Sequence, residues 1–324
     1  MNCLTRCDCS SLKESIFEKK IFFVACRTRA VLTLNVILFP EMVFAPVFRR
    51  ELVSRCYHNG PKSSLSDCKV FLNQFQGGSV DLIKKGNIAH LVLNHPERRN
   101  AMSGSMMVQL LERVEELENW QEGVGLILRG QDNKSKVFCS GGDLKTVEGM
   151  PSSGGFTMAT LMSEATNRLR LLPLVSVSVL EGPAVGGGAE LTTCTDFRLA
   201  TSKASISFVQ VRMGVAPGWG GASRLVDIVG RRKALQLLLS CQKIGLQDGL
   251  DCGLIDAKLD ETEPVTVAEH WLRNLVVEER AVEVVRTIKS MVVAGCPEQE
   301  SRHFAPLWGG EANKAALAKQ LKHR

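Results

Sequence analysis

The 324-residue chain is 44% apolar and 23% charged, the balance of an ordinary globular protein, which argues against a fibrous or largely disordered chain. A formal charge of +6 suits an anionic small molecule, and with no helix carrying a basic stripe interleaved with aromatics it excludes nucleic acid as the main partner. Eleven cysteines are scattered without a C-x-x-C pair or a histidine at metal-ligand spacing, so reduced thiols and no metal site are expected rather than a paired secreted scaffold.

Residues 1–65 read differently from the rest. Ile21–Pro40 is apolar but broken by Arg27 and Arg29, and the uncharged run Ala30–Pro40 is too short to cross a bilayer. Met42–Lys62 carries Arg49, Arg50 and Arg55 against Glu41 and Glu51, which is weakly transit-peptide-like. A poorly ordered leader is the plainer expectation. No membrane-spanning helix is expected downstream.

From about Phe71 the pattern is that of one α/β domain. Ile88–Leu93 predicts a strand ending in the turn Asn94-His95-Pro96. Met106, Met107, Leu110, Leu111, Val114, Leu117 and Trp120 recur at three and four, with Glu112, Arg113, Glu115 and Glu116 between them, which predicts an amphipathic helix. Strands are predicted at Val124–Leu128 and Leu174–Leu180, and shorter ones at Phe197–Ala200 and Ile206–Val209. The Gly/Ser-rich stretch Gly149–Gly155 predicts a mobile loop. Helices are predicted from Ala222 towards Leu239, over Val265–Asn274 and over Ala281–Val293. Trp308-Gly309-Gly310 then precedes a helical tail, Ala312–Leu321. Strands alternating with helices imply repeated β-β-α or β-α-β units rather than a sandwich.

Several familiar sites are missing. The chain has no G-x-S-x-G elbow, no H-E-x-x-H and no glycine loop ending in Lys-Ser/Thr. Gly186-Gly187-Gly188 is consecutive, not the G-x-G-x-x-G of dinucleotide sites. Two glycine turns remain, each after a strand-like run: Val137-Phe138-Cys139-Ser140-Gly141-Gly142-Asp143-Leu144, and Glu181-Gly182-Pro183-Ala184-Val185-Gly186-Gly187-Gly188-Ala189-Glu190-Leu191. Glycine lets the backbone approach a ligand, and a helix N-terminus offers free N–H donors. Two such turns facing each other would hold one oxyanion; each alone is an ordinary tight turn.

The order of these segments resembles the enoyl-CoA hydratase/isomerase, or crotonase, superfamily. The resemblance is carried by Leu93-Asn94-His95-Pro96-Glu97-Arg98-Arg99-Asn100-Ala101-Met102-Ser103, by Phe138–Leu144, by Glu181–Glu190 and by Phe208–Gly221. Arg224-Leu225, Gly230 and Gly253-Leu254-Ile255-Asp256 continue it, so that it covers roughly residues 80–259. It implies an α/β fold of the crotonase (ClpP/crotonase-like) type: a β-β-α spiral core over 66–260 and a C-terminal helical region over 261–324 that supports a homotrimer or a hexamer. The implied partner is an acyl-CoA thioester, with CoA as part of the substrate and no further cofactor. A cytosolic location is implied, with mitochondria as the alternative because of the Arg-bearing leader.

Carried over by position, the family's oxyanion hole falls on the backbone N–H groups of Gly142 and Gly187. Arg98, Arg99, Ala101 and Met102 fall on the turn that receives CoA, where the arginines either meet its phosphates or form a solvated basic pair. Phe138 and Trp219 are candidates for the acyl pocket or for plain core packing. Members that hydrate an enoyl thioester use two glutamates. The first is kept as Glu190, and the second falls on Gln210, which cannot take or give a proton at neutral pH. Hydration and isomerisation are therefore disfavoured. Decarboxylation needs only an oxyanion site, a pocket for the departing carboxylate and a later proton. The resemblance thus implies loss of CO2 from ethylmalonyl-CoA and, less well, methylmalonyl-CoA, a metabolite-proofreading step, with Gln210 beside the departing carboxylate and Glu190 handling the proton or ordering a water. A hydratase or isomerase, or a silent crotonase-fold protein binding CoA esters, stands as the alternative.

Overall fold

A computed structural model describes residues 64–131, 136–276 and 281–322. The leader expected over 1–65 lies, as far as residue 63, outside the described residues. The first element, α1 (Leu65–Leu72), opens with a capping box in which the Ser64 hydroxyl takes the Asp67 N–H and the Asp67 carboxylate takes the Ser64 N–H. β1 (Ser79–Lys85) and β2 (Ile88–Asn94) follow as an antiparallel hairpin. Next come α2 (Gly104–Glu118), β3 (Gly125–Gly130), α3 (Leu144–Gly149) and α4 (Gly154–Leu171). The middle of the chain is β4 (Val175–Leu180), β5 (Pro183–Val185), α5 (Gly187–Thr192), β6 (Phe197–Ala200), β7 (Ser205–Ser207) and α6 (Gly221–Ser240). Then β8 (Ile244–Gly245), α7 (Leu246–Asp251) and β9 (Ala257–Lys258) complete the strands. Helices α8 (Pro264–Val276), α9 (Val282–Ala294), α10 (Pro297–Phe304) and α11 (Glu311–Lys322) end the described chain.

The larger sheet has the order β1-β2-β3-β4-β6-β9, parallel throughout except for the β1–β2 hairpin. A second sheet has the order β5-β7-β8. Isolated parallel bridges at Met102↔Gly142 and Cys139↔Ala184 carry the second layer upstream. The chain is thus a spiral: β2, β3, β4 and β6 each lie in the large sheet, and the segment after each lies in the second layer. Segments far apart in sequence but at the same point on successive turns become neighbours. That stacking brings the two glycine turns together.

The inner, parallel-paired strands β2, β3, β4 and β6 of the large sheet are buried on both faces, as parallel sheets are, while the edge strand β1 is exposed or half-buried over most of its length. Along β3, Leu126 and Leu128 enter one core with α2 and α4, whereas Ile127 enters another with Ala268 and Leu272 of α8 and Val285 of α9. The period of two decides which residue goes where. Helix α2 keeps the expected stripe, with Met106, Met107, Leu110, Leu111, Val114 and Leu117 all buried. Lys289 of α9 is buried and pairs with Asp196, whose other oxygen takes the Ser176 N–H at 2.8 Å and hydroxyl at 2.9 Å, so the C-terminal helices are tied to the spiral by charge as well as by apolar packing.

The mobile loop expected at Gly149–Gly155 is corrected. Gly149 closes α3, Gly154 and Gly155 open α4, and only residues 150–153 lie between. Glycine is tolerated at helix ends, where the backbone is not fully held. Leu161, Met162, Ala165 and Leu169, at helical spacing, drive the segment against α1 and α2. Helices α1 and α4 and strand β1 lie outside the elements predicted from periodicity; β1 ends in two lysines, and α4 mixes Gly, Thr and Ser into a weak stripe. Among the described residues no helix is long and apolar enough to cross a membrane.

Candidate active site

The first glycine turn is held from both sides. Phe138 donates its N–H to Pro183 O at 3.0 Å, and Cys139 O accepts Val185 N–H at 2.9 Å, which fastens the turn to β5. Met102 N–H donates to Gly141 O at 2.8 Å and Asp143 N–H donates to Met102 O at 2.9 Å. Gly142 sits between these two bonds, and among the described residues its own N–H has no protein acceptor. Gly141 makes the turn possible with φ 97°, a conformation an L side chain resists.

The second turn starts α5. Gly186 donates to Ser207 O at 2.9 Å, and Gly187 is the first helical residue, so its N–H is one of the unpaired donors of a helix N-terminus. The turns touch: a Cβ built on Gly141 would lie 3.1 Å from Gly187 N, and one on Gly188 would lie 2.1 Å from Cys139 O. Two unpaired N–H donors, Gly142 and Gly187, therefore come from turns in direct contact. Two amide donors on one side of a small space can stabilise negative charge growing on a carbonyl oxygen. The neighbouring Cys139 thiol is pushed up to about 12 by burial, which keeps it protonated and out of competition as a nucleophile.

Glu190 lies one turn along α5, and its carboxylate is fully occupied. Oε1 accepts from Gln210 Nε2 at 2.8 Å and Gly218 N at 3.3 Å, and Oε2 accepts from Trp219 N and Gly221 N at 2.9 Å each. Burial pushes its pKa above the usual carboxylate range, and the backbone donors and Gln210 pull it back. Glu190 thus anchors the 218–221 loop and the start of α6. Gln210, in the turn after β7, keeps its Oε1 buried without a partner, while one amide hydrogen is held by Glu190.

The turn at residues 98–102, expected from the resemblance to receive CoA, joins the same cluster. Arg98 and Arg99 are exposed. Arg99 and Asn100 both take φ 54°, and Asn100 is fixed by donating to Gln131 O and Val137 O at 2.9 Å each. Ser140 donates its N–H to Arg99 O at 3.2 Å, which couples this turn to the oxyanion turn. Ala101 and Met102 are buried, and their N–H groups go to Arg98 O at 3.1 Å and Gly141 O at 2.8 Å. The cationic groups this turn offers to an anion are the two arginine side chains. Of the two pocket candidates, Phe138 is a core residue, and Trp219 lies against the site: its ring would meet a Cβ on Gly187 at 2.4 Å and one on Gly142 at 3.9 Å.

Arg224 of α6 carries no site signal in the sequence beyond its place in the family motif. Its guanidinium is buried and donates to Thr193 Oγ1 at 3.0 Å, Thr166 Oγ1 at 3.1 Å, Asn167 Oδ1 at 3.2 Å and Trp219 O at 2.7 Å. Burial lowers its pKa, and the Glu190 charge opposes that shift. An arginine at the start of a helix reads as solvated surface; only the tertiary structure encloses it. Among the described residues no cluster of His, Cys, Asp and Glu is placed to hold a metal ion.

Comparison with known proteins gives three findings. Residues 83–306 match the family described as enoyl-CoA hydratase/isomerase. The chain is 44% identical over 269 residues to the ethylmalonyl-CoA decarboxylase of Mus musculus, covering 79% of this chain and 82% of the relative. Among solved structures it is similar to an enoyl-CoA hydratase from Bacillus anthracis (TM-score 0.69, 22% identity, 77% of this chain and 97% of that one). It is also similar to a Thermobifida fusca YX structure in complex with CoA (TM-score 0.63, 23% identity, 76% and 95%).

Proposed function

The chain belongs to the enoyl-CoA hydratase/isomerase family and has the crotonase fold, and on that premise we propose that it is a carboxy-lyase releasing CO2 from ethylmalonyl-CoA to give butyryl-CoA, and acting less well on methylmalonyl-CoA. One observation carries the reading: the N–H groups of Gly142 and Gly187 stay unpaired on two touching turns, and Glu190, on the same short helix as Gly187, is bonded to a carboxamide, Gln210, at the position where a second carboxylate would serve hydration. The relative's activity supports the choice of substrate.

In this scheme the thioester oxygen accepts both N–H groups. The bond from the α-carbon to the carboxylate breaks, CO2 leaves, and the electron pair becomes the enolate. Each donor contributes about 3 kcal/mol to that step. Gln210 is neutral, so it adds no repulsion to the departing carboxylate, and its second amide hydrogen is a donor for it. With four donors on Glu190, the α-carbon proton is assigned to water ordered in the site, and Glu190 to holding the site's shape. The scheme calls for no metal or added cofactor, CoA being part of the substrate; Arg98 and Arg99 are proposed to meet its phosphates. A trimer or a pair of trimers built on the helices after β9, a cytosolic location and a role in clearing a side product of fatty-acid metabolism are part of the same proposal.

The test is incubation of the purified protein with ethylmalonyl-CoA, methylmalonyl-CoA and crotonyl-CoA in separate reactions, with products read by mass. Butyryl-CoA from the first and no hydration of the third are expected. Hydration of crotonyl-CoA, or binding without turnover of any thioester, would overturn the proposal. The variant Gln210→Glu sharpens it. It sets a second negative charge against Glu190, 2.8 Å away in the wild type, and against the substrate carboxylate. Its kcat/KM for ethylmalonyl-CoA is expected to fall by about 10²-fold, the effect of like charges at close range.

A further inference from the structure

Two backbone donors fix a thioester oxygen but do not measure the acyl branch beside it. Trp219 is the residue in position to do so. Its ring carbons Cζ3 and Cη2 would lie 2.4 and 2.6 Å from a Cβ on Gly187, and its Cζ2 3.9 Å from one on Gly142, so the indole spans the two turns that carry the free donors. Val147 Cγ2 would lie 3.5 Å from the same Cβ on Gly142, and Val147 is 45% exposed while Trp219 is 4% exposed. Of the two side chains that approach Gly142, the indole is therefore buried and Val147 faces outward.

Trp219 is also fixed. Both backbone polar groups of Trp219 are held by buried side chains from three helices. Its N–H donates to Glu190 Oε2 at 2.9 Å, and its carbonyl accepts from Arg224 Nη2 at 2.7 Å and Thr166 Oγ1 at 2.8 Å. The next residues leave no slack: Gly220 adopts φ 77°, and a Cβ on Gly221 would lie 2.4 Å from Glu190 Cγ. A loop residue clamped by a carboxylate on one side and a guanidinium on the other cannot withdraw to admit a larger group.

We infer that Trp219 is the specificity-determining residue for the acyl branch, its indole forming a rigid stop that admits short branches and excludes longer ones; this rests on the oxyanion site being where the thioester carbonyl binds. Arg224, Thr166 and Glu190 are positioning residues that act through it.

The experiment compares wild type, Trp219→Leu and Trp219→Phe on ethylmalonyl-CoA and butylmalonyl-CoA, and in equilibrium binding of butyryl-CoA and octanoyl-CoA. Each methylene a pocket accepts or rejects changes selectivity about tenfold or more. Trp219→Leu is expected to raise the butyl-to-ethyl ratio of kcat/KM by about tenfold or more, with Trp219→Phe between it and wild type. The affinity ratio of octanoyl- to butyryl-CoA is expected to move the same way. Ratios unchanged within about twofold in the folded Phe variant would overturn the inference, since loss of structure lowers all rates without reordering substrates. The binding ratios judge Trp219 even if the wild type decarboxylates nothing, an outcome that would sink the decarboxylase reading alone.

Discussion

Gly142→Pro is expected to lower kcat on ethylmalonyl-CoA by about 10²–10³-fold, the loss that follows removal of one oxyanion donor. Proline removes the N–H and sets its ring Cδ in the same place, where the thioester oxygen would sit, so it closes that half of the oxyanion site altogether. The position has room: a Cβ on Gly142 would meet Val147 Cγ2 at 3.5 Å and Trp219 Cζ2 at 3.9 Å, ordinary packing distances, and its N–H holds no bond within the fold. Gly142→Ala is the control, because it adds the same Cβ and keeps the donor. Steady-state rates and far-UV circular dichroism on both variants separate loss of the N–H position from the effect of an added Cβ and from loss of the fold. If Gly142→Pro kept wild-type turnover, the negative charge would have to build elsewhere.

Glu190→Ala carries the second large effect, on stability. Removing the carboxylate leaves the N–H groups of Gly218, Trp219 and Gly221 without their acceptor, and takes away an anion close to the buried Arg224. A buried donor left unpaired costs about 1–3 kcal/mol, and the three together are expected to cost about 3–5 kcal/mol because the loop relaxes. At roughly 2–4 °C per kcal/mol for a domain of this size, Tm should fall by roughly 10 °C or more. Glu190→Gln keeps one acceptor oxygen and should lose less.

The same residue gives a pH signature. Burial raises the Glu190 pKa in the folded protein above its unfolded value. A group shifted in that direction contributes most stability below its unfolded pKa, and the contribution is lost as pH rises through the folded pKa. The stability gap between wild type and Glu190→Gln, which does not titrate, should therefore widen as pH is lowered from neutrality through the folded pKa. It should level off below the ordinary carboxylate value. Chemical denaturation at several pH values measures it, and a gap that narrows on acidification would mean the four hydrogen bonds outweigh burial.

The elements and the site were legible to different degrees. The two glycine turns are visible in the residues as ordinary tight turns after strand-like runs; that Gly142 and Gly187 carry the donors and that Gln210 stands at the second acid's position is what the family resemblance implies. The stripe of α2 is readable because its faces differ sharply. Helix α4 is not, because its buried positions are diluted by Gly, Thr and Ser, so that it reads locally as a turn-rich loop. Arg224 is hidden for another reason: its enclosure depends on Thr166, Thr193 and Trp219, which lie on other elements.

Residue chemistry and spacing along the chain, read beside the family resemblance, were enough for the α/β class, for two candidate glycine turns, and for the lack of an acid at position 210. These depend on identity and on near neighbours, which one chain displays in full. The spiral stacking decided the rest: that the turns touch, that Glu190 is filled by four donors, and that the Trp219 ring covers both glycines while its backbone is held by a buried carboxylate and a buried guanidinium. Those facts come from contacts between successive turns of the spiral. A hydrogen bond or a wall exists only once two distant segments are in contact, and no local pattern encodes which atoms will meet.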